Sequence, residues 1–136
     1  MAFDRDELIN ELVLANRILA ANGVVDGFGH VSMRHPERAD RFFLSRSRSP
    51  ELVEHADILE FSLDGQPIDS KEACYHERFI HAAVYELNPE ANAVVHSHAL
   101  EVLPFTISGV RLQPCIHTAS QCGEDIPLWD IRDTFG

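Results

Sequence analysis

The sequence predicts an α/β domain three layers deep, α/β/α, with helices flanking a mostly antiparallel central sheet. Three observations predict it. Two apolar runs at helical spacing open the chain and cross its middle, several short β-rich segments lie between and after them, and Asp64-Gly65 supplies a hairpin signal.

Asp4 followed by Glu7 resembles a capping box. Leu8, Leu12, Ala15, Ile18 and Leu19 then recur at helical spacing before Asn22-Gly23, which predicts a helix over about residues 4–22. Gly27 to Arg34 reads as a glycine-bearing turn entering a strand, and Arg41 to Leu44 as a second strand paired antiparallel with it. Ser49-Pro50 suits a helix entry or turn. Ile58 to Ser62 alternates as a third strand, and Asp64-Gly65 leads to a short strand near Gln66 to Ile68. From about Lys71 to Leu87 the spacing of Ala73, Phe79, Ile80, Ala83, Val84 and Leu87 predicts a second helix, stopped by Asn88-Pro89, with Glu77 and His81 one turn apart on it. Ala93 to His98 reads as a short buried strand that turns polar at its end. A small helical segment near Leu100 and a strand around Leu112 to His117 complete a single domain over residues 1–136.

Composition excludes some function classes. Eleven basic against twenty-two acidic residues leave a formal net charge of −11, which repels nucleic acid and anionic membranes. No apolar run approaches the ~20 residues that cross a bilayer, and the start Met1-Ala-Phe-Asp lacks a basic signal region, so a cytoplasmic protein is expected. Cys74, Cys115 and Cys122 are odd in number without CxxC spacing and are read as reduced thiols, packed as small buried hydrophobes.

The chemistry concentrates in His96 and His98. Side chains two apart on a strand share a face, about 6.6 Å apart along it, so both imidazoles can turn onto one cation. Taken alone, a His-x-His pair also occurs in ordinary packing. Glu77 adds a carboxylate from another direction, giving a two-His, one-carboxylate set suited to zinc, manganese or iron(II), although an exposed helical Glu paired with a basic neighbour has the same sequence signature.

Glu77-Arg78-Phe79-Ile80-His81, followed by Tyr85, Pro89 and Asn92 to His98, resembles the core of the class II aldolase/adducin family. The likeness extends upstream to Gly29-His30-Val31-Ser32-Met33-Arg34, similar to the family's Gly-Asn-x-Ser-x-Arg loop, and downstream to Ile126-Pro127 and Thr134-Phe135-Gly136. It implies that His96 and His98 bind a divalent metal together with a third histidine beyond residue 136. It also implies that Glu77 lies at the metal and acts in acid-base chemistry, and that Gly29 and Ser32 belong to the substrate loop.

Two departures shift the expected substrate. His30 stands where the sugar-phosphate aldolases carry Asn, and Leu44 to Val53 places Arg46 and Arg48 where they carry a small phosphate cradle. Arginine forks suit carboxylates. The chain therefore looks more like the branch of hydroxymethylpyridine-dicarboxylate and dihydroxyphthalate decarboxylases, with His30 as a catalytic candidate. A solvated basic patch is the plain alternative for the arginines, and a structural role in the turn is the alternative for His30.

His81 is read either as a partner orienting Glu77 or as a core histidine bonded to a backbone carbonyl. His35, His55 and His76 are read as surface residues and His117 as a weak pocket candidate. The resemblance further implies a homo-oligomer, a tetramer in the family, with a small carboxylate or hydroxy-carbonyl substrate. It also implies that this chain is truncated at its C-terminus. A non-haem iron(II) oxygenase and a non-catalytic adducin-like module are the other classes weighed.

Overall fold

The computed structural model describes residues 4–135, so the signal-region reading of Met1 to Phe3 and the final Gly136 lie outside the described residues. The chain divides into two compact units, Met1–His98 and Ala99–Gly136.

The first unit carries the sheet. Its elements are helix α1 (Arg5–Ala21), strands β1 (His30–Arg34), β2 (Arg41–Ser45) and β3 (Ile58–Ser62), helix α2 (Arg78–Leu87) and strand β4 (Ala93–His96). The strand order is β3-β2-β1-β4, and every pairing is antiparallel. The hairpin expected at Asp64-Gly65 forms, Gly65 taking a φ of 74°, but the return is one bridge between Phe61 and Pro67 rather than a strand.

Side-chain alternation sorts the layers. Phe43 and Val31 turn to one face with Ile9 and Leu12 of α1, Val53 and Ile58. Phe42 and Leu44, one residue out of phase, turn to the other with Phe61, Tyr75, and Ala82 and Tyr85 of α2. The predicted three-layer arrangement follows directly from this period of two. Asp4 caps α1 by accepting from the backbone N–H groups of Asp6 at 3.0 Å and Glu7 at 3.2 Å, and α1 closes at Asn22 with Gly23 at a φ of 68°.

The second helix differs from expectation. It begins at Arg78, not near Lys71, so Glu77 is its N-cap and does not sit on the helix with His81. The reason is tertiary. Ser47 N–H donates to Ala73 O at 2.7 Å, Tyr75 is drawn into the core, and Arg78 anchors Gly65 O at 2.7 Å and Tyr75 O at 2.9 Å, which holds residues 71–77 out of helical geometry. β4 likewise stops at His96, leaving His98 beyond the strand.

The second unit holds α3 (Leu103–Ile107), a 3₁₀ turn (His117–Cys122) and α4 (Arg132–Phe135). The helical segment expected near Leu100 begins at Leu103, and the strand expected around Leu112 to His117 does not form. Without sheet partners its apolar residues find little cover, and Ile107, Ile116, Trp129 and Phe135 are exposed. Cys115 and Cys122 are exposed and Cys74 is partly buried, which corrects their reading as buried hydrophobes. His35 is also corrected: it is buried, stacked on Phe43 at 5.0 Å, with Nδ1 accepting from the backbone N–H groups of Glu37 and Arg38.

Candidate metal centre

The register of β1 on β4 sets His30 directly opposite His96. Both rings leave the same face of the sheet and stack with centroids 4.8 Å apart. Glu77 comes in from the start of α2. An acidic N-cap ordinarily accepts from the first helical N–H groups, but Glu77 makes no such bond. Its Oε2 lies 3.3 Å from His96 Nε2 and 3.6 Å from His30 Nε2. Ligand atoms of His30, Glu77 and His96 all fall within 4.8 Å of one another.

His98 joins this group through His96, their Nε2 atoms being 3.0 Å apart. Two imidazole nitrogens at that distance share either a proton or a cation. Asp26 bears on which, because both its carboxylate oxygens lie 3.2 Å from His98 Nδ1. With the hydrogen on Nδ1 donated to Asp26, His98 Nε2 is bare and able to ligate. Asp26 is itself held by the backbone N–H groups of Phe28 and Gly29 at 3.0 and 2.8 Å. The Phe28 contact, and then His98, keep its carboxyl below the usual range against the opposing desolvation.

Behind the cluster runs a buried relay. His30 Nδ1 meets His81 Nε2 at 2.6 Å, His81 Nδ1 meets Ser32 Oγ at 2.6 Å, and Ser32 Oγ meets the Tyr85 hydroxyl at 2.8 Å. His81 therefore orients His30, not Glu77, and among the described residues its ring nitrogens meet His30 and Ser32 and no backbone carbonyl. Burial, reinforced by the charge of His96, pushes the His30 pKa down to about 4, with Glu77 opposing. Burial and then His30 take His81 down to about 3. Burial raises Tyr85 to about 12 against the pull of Ser32. All three are neutral at pH 7.

The glycine loop positions these groups. A Cβ on Gly29 would stand 2.7 Å from Val25 Cβ and 3.0 Å from the His96 carbonyl oxygen, so only glycine lets the turn approach β4 this closely. Ser32 belongs to the relay. Arg34 clamps the end of α2, donating to Tyr85 O at 2.8 Å, Asn88 O at 3.0 Å and Ala91 O at 2.8 Å.

Arg46 and Arg48 are not the free forks expected from the sequence. Both grip Asp57, Arg46 Nε at 2.6 Å and Arg48 Nη1 at 3.0 Å, and no hydrogen bond or ion pair ties either to the cluster among the described residues. Burial raises the Asp57 carboxyl, but the Glu54 N–H and then the two arginines bring it below its ordinary value. Their loop still borders the site through Tyr75, which sequence reasoning missed. The Tyr75 ring packs on His30 at 4.4 Å, and its hydroxyl bonds Arg48 O and accepts from Arg48 N–H. Asp26 was missed as well. Asp before Gly-Phe-Gly signals a turn, but nothing local points to a histidine 72 residues away.

The donors suit a divalent cation. Two or three imidazoles and one carboxylate converge, and His30 Nε2 is buried without a hydrogen-bond partner among the described residues. A family model described as the class II aldolase and adducin N-terminal domain matches residues 10–134.

The chain belongs to this family.

Among its relatives, decarboxylase tropJ from Talaromyces stipitatus is 44% identical over 121 residues, covering 87% of this chain and 46% of that protein. A 3,4-dihydroxyphthalate decarboxylase from Arthrobacter keyseri is 32% identical over 116 residues, covering 77% and 46%. Among solved structures, an L-fuculose 1-phosphate aldolase from Glaciozyma antarctica superposes with a TM-score of 0.75 at 24% identity, over 90% of this chain and 55% of that one. This class II aldolase-type chain thus spans about half the length of the relatives it matches. Two decarboxylases among them agree with the branch that the sequence resembles.

Proposed function

We propose that this chain forms the N-terminal, metal-binding part of a divalent-metal-dependent carbon–carbon lyase that decarboxylates a hydroxylated aromatic carboxylic acid. The observation that carries the reading is the convergence of His96 Nε2 and His98 Nε2 at 3.0 Å, with Glu77 Oε2 at 3.3 Å from His96. Glu77, His96 and His98 hold the cation, which can be zinc, manganese or iron(II). A bound cation supplies Lewis-acid stabilisation of the charge left when the carbon–carbon bond breaks.

The other steps fall to side chains of the chain. The carboxyl group leaves as carbon dioxide, its bonding pair stays on the ring carbon, and a proton replaces it there. The Glu77 carboxylate, 46% exposed at the cluster, is placed to hold and return that proton. His30, fully buried behind it, faces the substrate, and Tyr75 shapes the wall. The activities named for the tropJ and dihydroxyphthalate relatives support decarboxylation over aldol cleavage. Assembly as a cytoplasmic homo-oligomer goes with this reading, and light scattering tests the assembly.

The test has two parts. Calorimetry and elemental analysis compare the chain with its His96→Ala, His98→Ala double variant against zinc, manganese and iron(II). The expected result is near one equivalent for the parent and none for the variant. The metal-loaded protein is then given 3,4-dihydroxyphthalate, with carbon dioxide expected. Iron-dependent oxygen consumption would move the reading to an oxygenase, and absence of metal binding by the parent would make this chain an incomplete part of the site or a non-catalytic module.

A further inference from the structure

His30 Nε2 is a buried atom with no hydrogen-bond partner, aimed at the cluster with Glu77 Oε2 at 3.6 Å, just beyond hydrogen-bonding distance. Distance alone would make it a further metal ligand. Which role it plays turns on whether Nε2 carries a hydrogen or a lone pair, and the relay behind it decides that. Each link from His30 to Tyr85 has one donor and one acceptor, and the tautomer of His81 sets the sense in which the imidazole pair donates.

In one register the Tyr85 hydroxyl donates to Ser32, Ser32 to His81 Nδ1, and His81 Nε2–H to His30 Nδ1. His30 then carries its hydrogen on Nε2. With the hydrogen of His81 on Nδ1 instead, His30 donates from Nδ1 and His81 donates to Ser32 Oγ. That oxygen can accept twice, so either the Ser32 or the Tyr85 hydroxyl hydrogen is left without an acceptor in the relay. Ser32 is fully buried and Tyr85 almost wholly so, and reversal would strand one of their hydroxyl hydrogens away from water. The first register is also the chemically favoured sense, running from the more acidic phenol through an alkyl hydroxyl to imidazole nitrogens, with each bond polarising the next.

We propose that His30 is a substrate-facing hydrogen-bond donor and not a metal ligand, held with its hydrogen on Nε2 by the Tyr85–Ser32–His81 relay and aimed at an anionic oxygen of the substrate carboxylate. Tyr85, Ser32 and His81 are positioning residues. The identity of the anion rests on the lyase reading, whereas the tautomer does not.

The experiment reads the ring nitrogens directly. Long-range proton–nitrogen correlation spectra of the ¹⁵N-labelled, metal-free chain at neutral pH are expected to show His30 hydrogen-bearing at Nε2 and bare at Nδ1. Ser32→Ala removes the hydroxyl that donates to His81 Nδ1, and loss of the single Nε2–H form is expected. Tyr85→Phe leaves Ser32 with His81 as its partner in the relay, and the Nε2–H form is expected to persist. Phthalate, added as a carboxylate probe, is expected to move the His30 Nε2–H resonance.

A parent with the hydrogen on Nδ1 would overturn the proposal and make His30 a ligand. A tautomer untouched by Ser32→Ala, or lost in Tyr85→Phe, would remove the relay from it, and an Nε2–H that ignores phthalate would remove the substrate contact. None of these readings needs metal or turnover, so failure of the lyase reading in its own assays is seen separately.

Discussion

Asp26 and Gly29 show how single side chains, or the lack of one, set the cluster. Asp26 meets His98 from behind at Nδ1, so on the proposed function the ligating atom of His98 is set by that contact. Asp26→Asn is expected to weaken zinc affinity about 10- to 100-fold, read by competition with a chromophoric chelator, with little change in melting temperature. Unchanged affinity would mean that His98 needs no such support. Gly29→Ala places a methyl group against Val25 and the His96 carbonyl and is expected to lower both melting temperature and metal affinity, because β4 must shift to admit it.

The elements are held by contacts of very different worth. Arg34 meets three carbonyls around the end of α2 and lies 4.7 Å over the Tyr85 ring, so one side chain ties β1 to the helix that carries the relay. Arg34→Met is expected to cost about 3 kcal/mol in urea unfolding. On the opposite layer, Leu12→Ala should cost about 3 kcal/mol through the cavity it leaves against the sheet, whereas Asp4→Ala should cost only about 1 kcal/mol, the worth of a cap. A ranking with Asp4 first would contradict the layer description.

For the molecule as a whole, the buried histidines couple folding to pH. His30 and His81 stay neutral in the fold down to about 4 and about 3, while the unfolded chain protonates them near 6.5. The unfolded state therefore binds more protons below 6.5. Stability is full above that value and is lost as pH falls through the window, by about 1.4 kcal/mol per pH unit for each histidine. Urea titrations of the metal-free chain between about pH 7 and about pH 5 should show this slope, and His81→Gln should flatten it. A flat parent profile would show that burial does not govern these groups.

Much of this was legible in the sequence. Helical spacing pointed to α1, β-rich segments to β1, β2 and β3, and three residues at two places, Glu77 and His96 with His98, to a donor set, of which the fold brings Glu77 and His96 together with His30, because period and ligand chemistry are local properties. Resemblance of the Gly29 to Arg34 and Glu77 to His98 motifs indicated the family that the match over residues 10–134 bears out. The start of α2 was misread because Tyr75, Ser47 and Gly65 pull residues 71–77 away from a helix that their own propensity allows. Arg46 and Arg48 were misread because Asp57, about ten residues on, claims their charge. Asp26 behind His98, and the relay from Tyr85 to His30, exist only after β1 and β4 pair and α2 packs across them. Sequence determined which groups could bind a cation. Tertiary structure decided which atom each presents, since the hydrogen on a ring nitrogen is set by neighbours that only folding brings within reach.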